Sequence, residues 1–193
     1  MKQLIIGTTN AGKVIEINEG LGQVPGWSLT PIDPSTPSIE ETGTTFVENA
    51  ILKAEHYSRF TNDELTLADD SGICVAALGG RPGVHSARYA PDPPSRIKRI
   101  LGEMKSIPDG RRSASFYCAL ALARKGTKVW TVEGSVHGVI AHAPSGTSGF
   151  GYDPVFLLPD LGRTMADLST EDRNRLSARG KALAELRKFL LLH

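Results

Sequence analysis

The 193-residue sequence predicts an α/β fold on a mixed sheet. Two observations lead there. At both ends of the chain, short apolar runs alternate with residues at helical spacing. In the middle, strand-like segments follow one another with only turn residues between them. Strand–helix alternation brings parallel pairing and hairpins bring antiparallel pairing, so the sheet should contain both.

Residues 4–7 (LIIG) read as a buried strand, and Val14, Ile17 and Leu21 then recur as one face of a helix. The proline-rich stretches 30–38 and 90–95 read as loops, too short to be linkers. A second helix should begin near Phe46. Thr45 and Glu48 have the spacing of a capping box, and Phe46, Ala50, Lys53, Ala54 and Tyr57 recur at threes and fours. Leu65 to Asp69 reads as a strand ending in the pair Asp69–Asp70, and Ile97, Ile100, Leu101 and Met104 mark a third helix. Segments 114–123 and 128–133 form a hairpin around Lys125-Gly126-Thr127, with another strand near 136–141. A last helix follows Ser169, with Leu176, Leu183, Leu186 and Leu190 on its apolar face and Arg175 and Arg179 on another.

Length and a 40% hydrophobic content suffice to bury a core, and residues 1–193 read as a single domain. The two cysteines, Cys74 and Cys118, both lie in apolar runs, which suits reduced thiols in a cytoplasmic protein. No stretch has the length of a membrane span or a signal sequence. With 22 basic and 21 acidic residues interspersed, the net charge of +1 offers no field for nucleic acid or a membrane surface, so an anionic ligand has to be held locally. The five histidines show no zinc-ligand spacing.

Four segments carry chemistry. Gly7-Thr8-Thr9-Asn10-Ala11-Gly12-Lys13 joins a strand to a helix, where free N–H groups, the helix dipole and a lysine favour an anion, although a plain capping turn has the same composition. The string fits G-x-x-x-x-G-K, but Val14 replaces the hydroxyl residue a P-loop uses to hold its metal. Glu40 and Glu41 precede the helix that places Asn49 and Lys53 one turn apart, and alone read equally as solvated charges. Asp69 and Asp70, followed by Ser71-Gly72, would be stable with a hard cation or a lysine to offset their repulsion, and also read as an Asp-Ser-Gly turn with one side-chain cap. Gly149-Phe150-Gly151-Tyr152-Asp153 combines close backbone approach with two aromatic faces for a flat ring, and reads equally as a turn packed on the core.

In this order, TTNAGK, EETGTTFVENAILKA, ADDSG, ALGGRPGVHSARYA, SGFGYDP and SARGKAL resemble the inosine triphosphatase family of non-standard purine nucleoside triphosphate pyrophosphatases across almost the whole chain. The resemblance implies an elongated central mixed sheet with flanking helices, two lobes around a nucleotide cleft, a homodimer, Mg2+ as cofactor, and hydrolysis of ITP, dITP or XTP to the monophosphate and pyrophosphate. By position it implies that Thr8, Thr9, Asn10, Ala11, Gly12 and Lys13 wrap the triphosphate and that Lys53 adds a second positive charge. Glu40 and Asp70 would bind Mg2+, with Glu41 and Asp69 as neighbours. Asp70 would also be the base that activates water, and Ser71 would touch the nucleotide. Phe150, Gly151, Tyr152 and Asp153 would form the base pocket, Arg179 would read the purine edge, and Arg88 would reach the site or the dimer interface. Two positions depart from the family pattern: Arg173 stands where a lysine is usual, and Ala178 where a histidine is usual. The rival reading is a P-loop-like phosphotransferase or GTPase that releases orthophosphate.

Overall fold

A computed structural model describes all of residues 1–193. One seven-stranded sheet has the order β2-β1-β3-β4-β5-β6-β7, with strands β1 Lys2–Ile6, β2 Trp27–Pro31, β3 Leu65–Val75, β4 Ser113–Arg124, β5 Thr127–Ile140, β6 Phe156–Leu158 and β7 Arg163–Thr164. The pairs β1–β2 and β1–β3 are parallel, and β5–β6 and β6–β7 are antiparallel, so the sheet is mixed as expected. The helices are α1 Ala11–Leu21, α2 Phe46–Tyr57, α3 Pro93–Glu103, α4 Thr170–Leu176 and α5 Ala178–Leu192. None is long and apolar enough to cross a membrane.

The chain divides into two compact units. The first holds Met1–Asp70, Cys118–Gly134 and Arg179–His193, and the second holds Ser71–Tyr117 and Ser135–Ala178. Strands β3, β4 and β5 contribute residues to both. In the first unit Leu4, Ile6, Ile17, Leu21, Leu67, Leu120 and Leu186 are fully buried. Helix α1 approaches α5 so closely that a Cβ on Gly20 would lie 2.6 Å from Leu183 Cδ1. In the second unit the core includes Ile73, Ile100, Met104, Ile140 and Phe156. Its one deeply buried guanidinium, Arg112, donates to the carbonyls of Met104, Ile107, Ile140 and Ala141 and so ties the end of α3 to the end of β5.

Several elements differ from the sequence reading. The start of the stretch expected to be a loop, at Thr30 and Pro31, belongs to β2, a five-residue edge strand on which a terminal proline loses no ladder bond. Strand β3 does not end at Asp69–Asp70 but continues to Val75, which puts both acids mid-strand. Strand β5 is continuous where two strands were expected, because Gly134 stays extended. Helix α3 takes in Pro93 and Pro94, tolerated at its first turn, behind the cap of Asp92 on Ser95 N at 2.8 Å. The last helix is two, broken where Ser177 takes an extended conformation with ψ 157°. The hairpin turn is Lys125-Gly126 alone, both residues at positive φ as a type I′ turn requires.

Candidate active site

The first unit brings together the N-terminus of α1, the 40–43 loop with α2, and the middle of β3. Strand β1 ends at Ile6, whose partner on β3 is Leu67. Asp69 and Asp70 therefore lie just past the last β1–β3 pair. The chain leaving β1 there turns into α1 through Asn10, whose side-chain oxygen caps Lys13 N at 3.2 Å. The amide nitrogen of Asn10 is the group that can donate to an anionic ligand.

Adjacent residues on a strand face opposite ways, so the two acids serve different partners. The Asp69 Oδ2 atom lies 3.1 Å from Lys13 Nζ and 2.9 Å from an Arg179 guanidinium nitrogen, and Arg179 also pairs with Glu16. Asp70 Oδ1 lies 2.9 Å from Lys53 Nζ, whose other carboxylate partner is Glu41 at 2.6 Å. Asn49 Nδ2 donates to Asp70 Oδ2 at 3.3 Å. The helix that supplies Lys53 and Asn49 is held at its start by a complete capping box, Thr45 accepting from Glu48 N and Glu48 from Thr45 N.

Burial opposes charge on Asp70 and pushes its carboxyl above the usual value; Lys53 offsets part of this and Glu41 adds to it. Burial likewise works against the Lys53 ammonium, but Asp70, Asp69 and Glu41 outweigh it and hold the lysine above its ordinary value. Burial pushes Arg179 down to about 10, still charged at neutral pH. Four carboxylates, Glu16, Glu41, Asp69 and Asp70, thus face three cations, Lys13, Lys53 and Arg179, an excess of one negative charge.

This donor set fits a hard divalent cation. It is rich in carboxylate oxygens, one of which, Asp69 Oδ1, is buried without a hydrogen-bond partner. No three or more His, Cys, Asp or Glu side chains converge as a ready-made cage. A Mg2+ held by one or two carboxylates together with phosphate oxygens needs none.

The second unit carries the aromatic loop. Asp153 Oδ2 accepts from Phe150 N at 2.9 Å and closes the loop on itself. Gly149, at φ 86°, has no room for a side chain, since a Cβ would lie 2.2 Å from that same oxygen. Phe150 is 43% exposed, whereas Tyr152 is 4% exposed and donates its hydroxyl to Ser86 O at 2.9 Å. Only one of the two expected aromatic faces is therefore open. Burial raises the Asp153 carboxyl to about 6, against the bond from Phe150 N and the charge of Arg173. Arg173, on α4, has a buried guanidinium nitrogen, Nη1, without a partner. Ala178 is buried and brings no polar atom, and Ser71 lies half-buried on β3.

The structure thus assembles Lys13, Lys53 and Asp70 in one unit, and Phe150, Gly151, Tyr152, Asp153, Arg173 and Ala178 in the other. Glu40 and Arg88 are exposed, and Glu41 is the acid that reaches Lys53. Sequence reasoning missed Glu16, whose signal was its place three residues after Lys13 on the same helix, and left Asn49 out of the site although it sits one turn before Lys53.

The sequence profile of the Ham1 family matches residues 4–189. Among relatives, a dITP/XTP pyrophosphatase of Geobacillus kaustophilus is 48% identical over 96% of this chain and 93% of its own length. The Bacillus subtilis dITP/XTP pyrophosphatase is 46% identical over 98% of both. Among solved structures, a HAM1 protein from Coxiella burnetii superposes with a TM-score of 0.90 at 40% identity over all of both chains. The Staphylococcus aureus Ham1 protein gives 0.85 at 36% over 98% of both.

Proposed function

Because this chain belongs to the Ham1 family, we propose that it is a nucleoside triphosphate diphosphatase that hydrolyses the non-standard purine nucleotides ITP, dITP and XTP to the monophosphate and pyrophosphate. The observation that carries the chemistry is Lys53 Nζ held between Glu41 at 2.6 Å and Asp70 at 2.9 Å, one helical turn beyond the buried amide of Asn49.

A triphosphate repels an incoming water, so hydrolysis needs cations on its oxygens and a base beside the nucleophile. Lys13 and Lys53 supply the first and exchange their carboxylate partners for phosphate oxygens, with the loop from Thr8 to Lys13 around the chain of phosphates. Asp70 supplies the second. Each carboxylate oxygen has two lone pairs, so Asp70 keeps acceptor capacity beside its bonds to Lys53 and Asn49 and takes a proton from the attacking water. The new bond joins the water oxygen to the α-phosphorus, the bond from that phosphorus to the bridging oxygen breaks, and pyrophosphate leaves. Asp70 and Glu40 are the residues that would hold Mg2+, which when bound neutralises phosphate charge and acidifies a coordinated water.

Base selection is assigned to the second unit's loop and to Arg173. An unpartnered buried N–H is costly, and a 6-oxo purine offers the carbonyl acceptor that a 6-amino purine lacks. Arg179 is held by Asp69 and Glu16, which supports a role in ordering the charged cluster beside any contact with the base. A homodimer and a cytoplasmic location belong to the same proposal. The deciding experiment is a panel of ITP, dITP, XTP, ATP and GTP with Mg2+, scored for product. Pyrophosphate, with ITP, dITP and XTP preferred over ATP and GTP, is the expected result, and orthophosphate would overturn the reading in favour of γ-phosphate transfer.

A further inference from the structure

We propose that Asn49 is a positioning residue for the acidic centre: its side-chain amide locks the loop carrying Glu40 and Glu41 to Asp70 and so sets the spacing of the carboxylates that hold the divalent cation. The inference rests on the diphosphatase reading above and assigns a further residue to it.

Asn49 is 0% exposed. An amide that deep is stable only when both of its ends are bonded, and both are. Its Oδ1 accepts from Gly43 N at 2.8 Å, and its Nδ2 donates to Asp70 Oδ2 at 3.3 Å. One partner lies in the loop before α2 and the other in the middle of β3, so this single side chain joins two segments that no backbone ladder connects. The capping box of α2 fixes the helix start from which Asn49 reaches out.

Gly43 is the second observation. A Cβ there would lie 2.6 Å from Asn49 Oδ1, 2.8 Å from Glu48 Cβ and 3.0 Å from Asn49 N. Its backbone is not in the left-handed region, so glycine is required by close approach and not by conformation. The loop is drawn onto the helix at the point where the amide bonds it.

Lys53 makes the parallel link with charge, joining Glu41 to Asp70. That link is broken when the ammonium turns to phosphate. The neutral amide has no such second partner and keeps the acids in place through the catalytic cycle. An acid at position 49 would set two carboxylates against each other, and a serine is too short to reach both partners.

The test uses Asn49→Ala and Gly43→Ala, both leaving every charged side chain of the site intact and the second keeping the Asn49 side chain as well. Mn2+, a spectroscopically visible substitute for Mg2+, is titrated into the protein in the presence of α,β-methylene-ITP, which resists cleavage, and followed by loss of its free-ion resonance against a blank of the nucleotide alone. kcat and KM for ITP are measured as a function of Mg2+, and circular dichroism confirms folding. Removing a group that orients metal ligands weakens metal affinity by about 10- to 100-fold. Both variants are expected to lose about tenfold or more in Mn2+ affinity and to need correspondingly more Mg2+ for half-maximal rate, with KM for ITP at saturating Mg2+ little changed. Metal affinity within twofold of wild type in the folded variants would overturn the proposal. Should Asn49→Ala fail to fold, Gly43→Ala decides alone. Wild-type protein that releases no pyrophosphate from ITP sinks the diphosphatase reading instead, and the Mn2+ titration still decides the role of Asn49.

Discussion

Asp69 and Asp70 share a peptide bond and almost nothing else. The first is committed to Lys13 and Arg179, the second to Lys53 and Asn49, because a strand turns successive side chains to opposite faces. Asp70 alone thus stands beside the lysine whose other partner is the acidic loop. Asp70→Asn keeps the shape and removes the base, and turnover of ITP should fall by at least about 100-fold while Mg2+-nucleotide binding stays within about tenfold. Single-turnover rates and equilibrium titration check the two halves, and near wild-type turnover would remove Asp70 from the base role. Asp153 offers a test by pH. Its folded value of about 6 lies above the ordinary 3.8, so the folded protein binds the extra proton between those values and stability contributed by this group declines as pH rises from about 4 to about 6. Asp153→Asn keeps the acceptor for Phe150 N and cannot ionise, so its urea midpoint relative to wild type should rise between pH 4.5 and 6.5. A constant difference would show that this carboxyl is not raised. At this scale the lysines and the acid pair were legible as residue types near helix starts and on a strand. The Glu16–Arg179 pair, 163 positions apart, was not, since nothing local in either segment names the other.

Among the elements, α2 was read correctly because its signals are local: a capping box at Thr45 and Glu48, and apolar residues at helical spacing through Tyr57. The strands β2, β6 and β7, of five, three and two residues, escaped notice because so few residues show no period. The break at Ser177 escaped because leucines on either side keep helical spacing across it. A cap that is legible is also testable. Thr45→Ala removes the acceptor for Glu48 N and should lower stability by about 1 kcal/mol. Since α2 also carries Asn49 and Lys53, the same change should lower kcat for ITP, whereas Asp92→Ala at the cap of α3 should lower stability by a similar amount with kcat unchanged. Thermal unfolding and steady-state rates on both variants make the comparison, and equal loss of kcat in both would mean that α2 has no special hold on the site.

For the molecule as a whole, the alternation of strands and helices around an antiparallel middle already predicted the mixed sheet, and the chain superposes on Ham1 structures with TM-scores of 0.90 and 0.85. Periodicity alone supplied the parallel and antiparallel ends but not the strand order, which depends on long-range pairings such as Leu4 with Leu65. The same long-range assembly concentrates seven charged side chains of the first unit, with one negative charge in excess, in a chain whose net charge is only +1. Such a cluster is stable with its own ion pairs, and more so when a cation and a polyphosphate replace them. Ligand that binds only the folded state stabilises it by about 2.7 kcal/mol at a hundred times its dissociation constant. For a chain of this size that corresponds to roughly 5 to 10 °C in Tm. With Mg2+ and α,β-methylene-ITP, which resists cleavage, the wild-type protein should therefore unfold at a Tm higher by that amount. In Lys53→Ala the shift at the same ligand concentration should shrink by the equivalent of about tenfold in affinity, one charge-assisted contact to phosphate being lost. Inosine monophosphate, which lacks the outer phosphates, should lose far less in the same variant. Equal losses for the two ligands would mean that Lys53 acts on the fold or on the nucleoside and not on the phosphate chain.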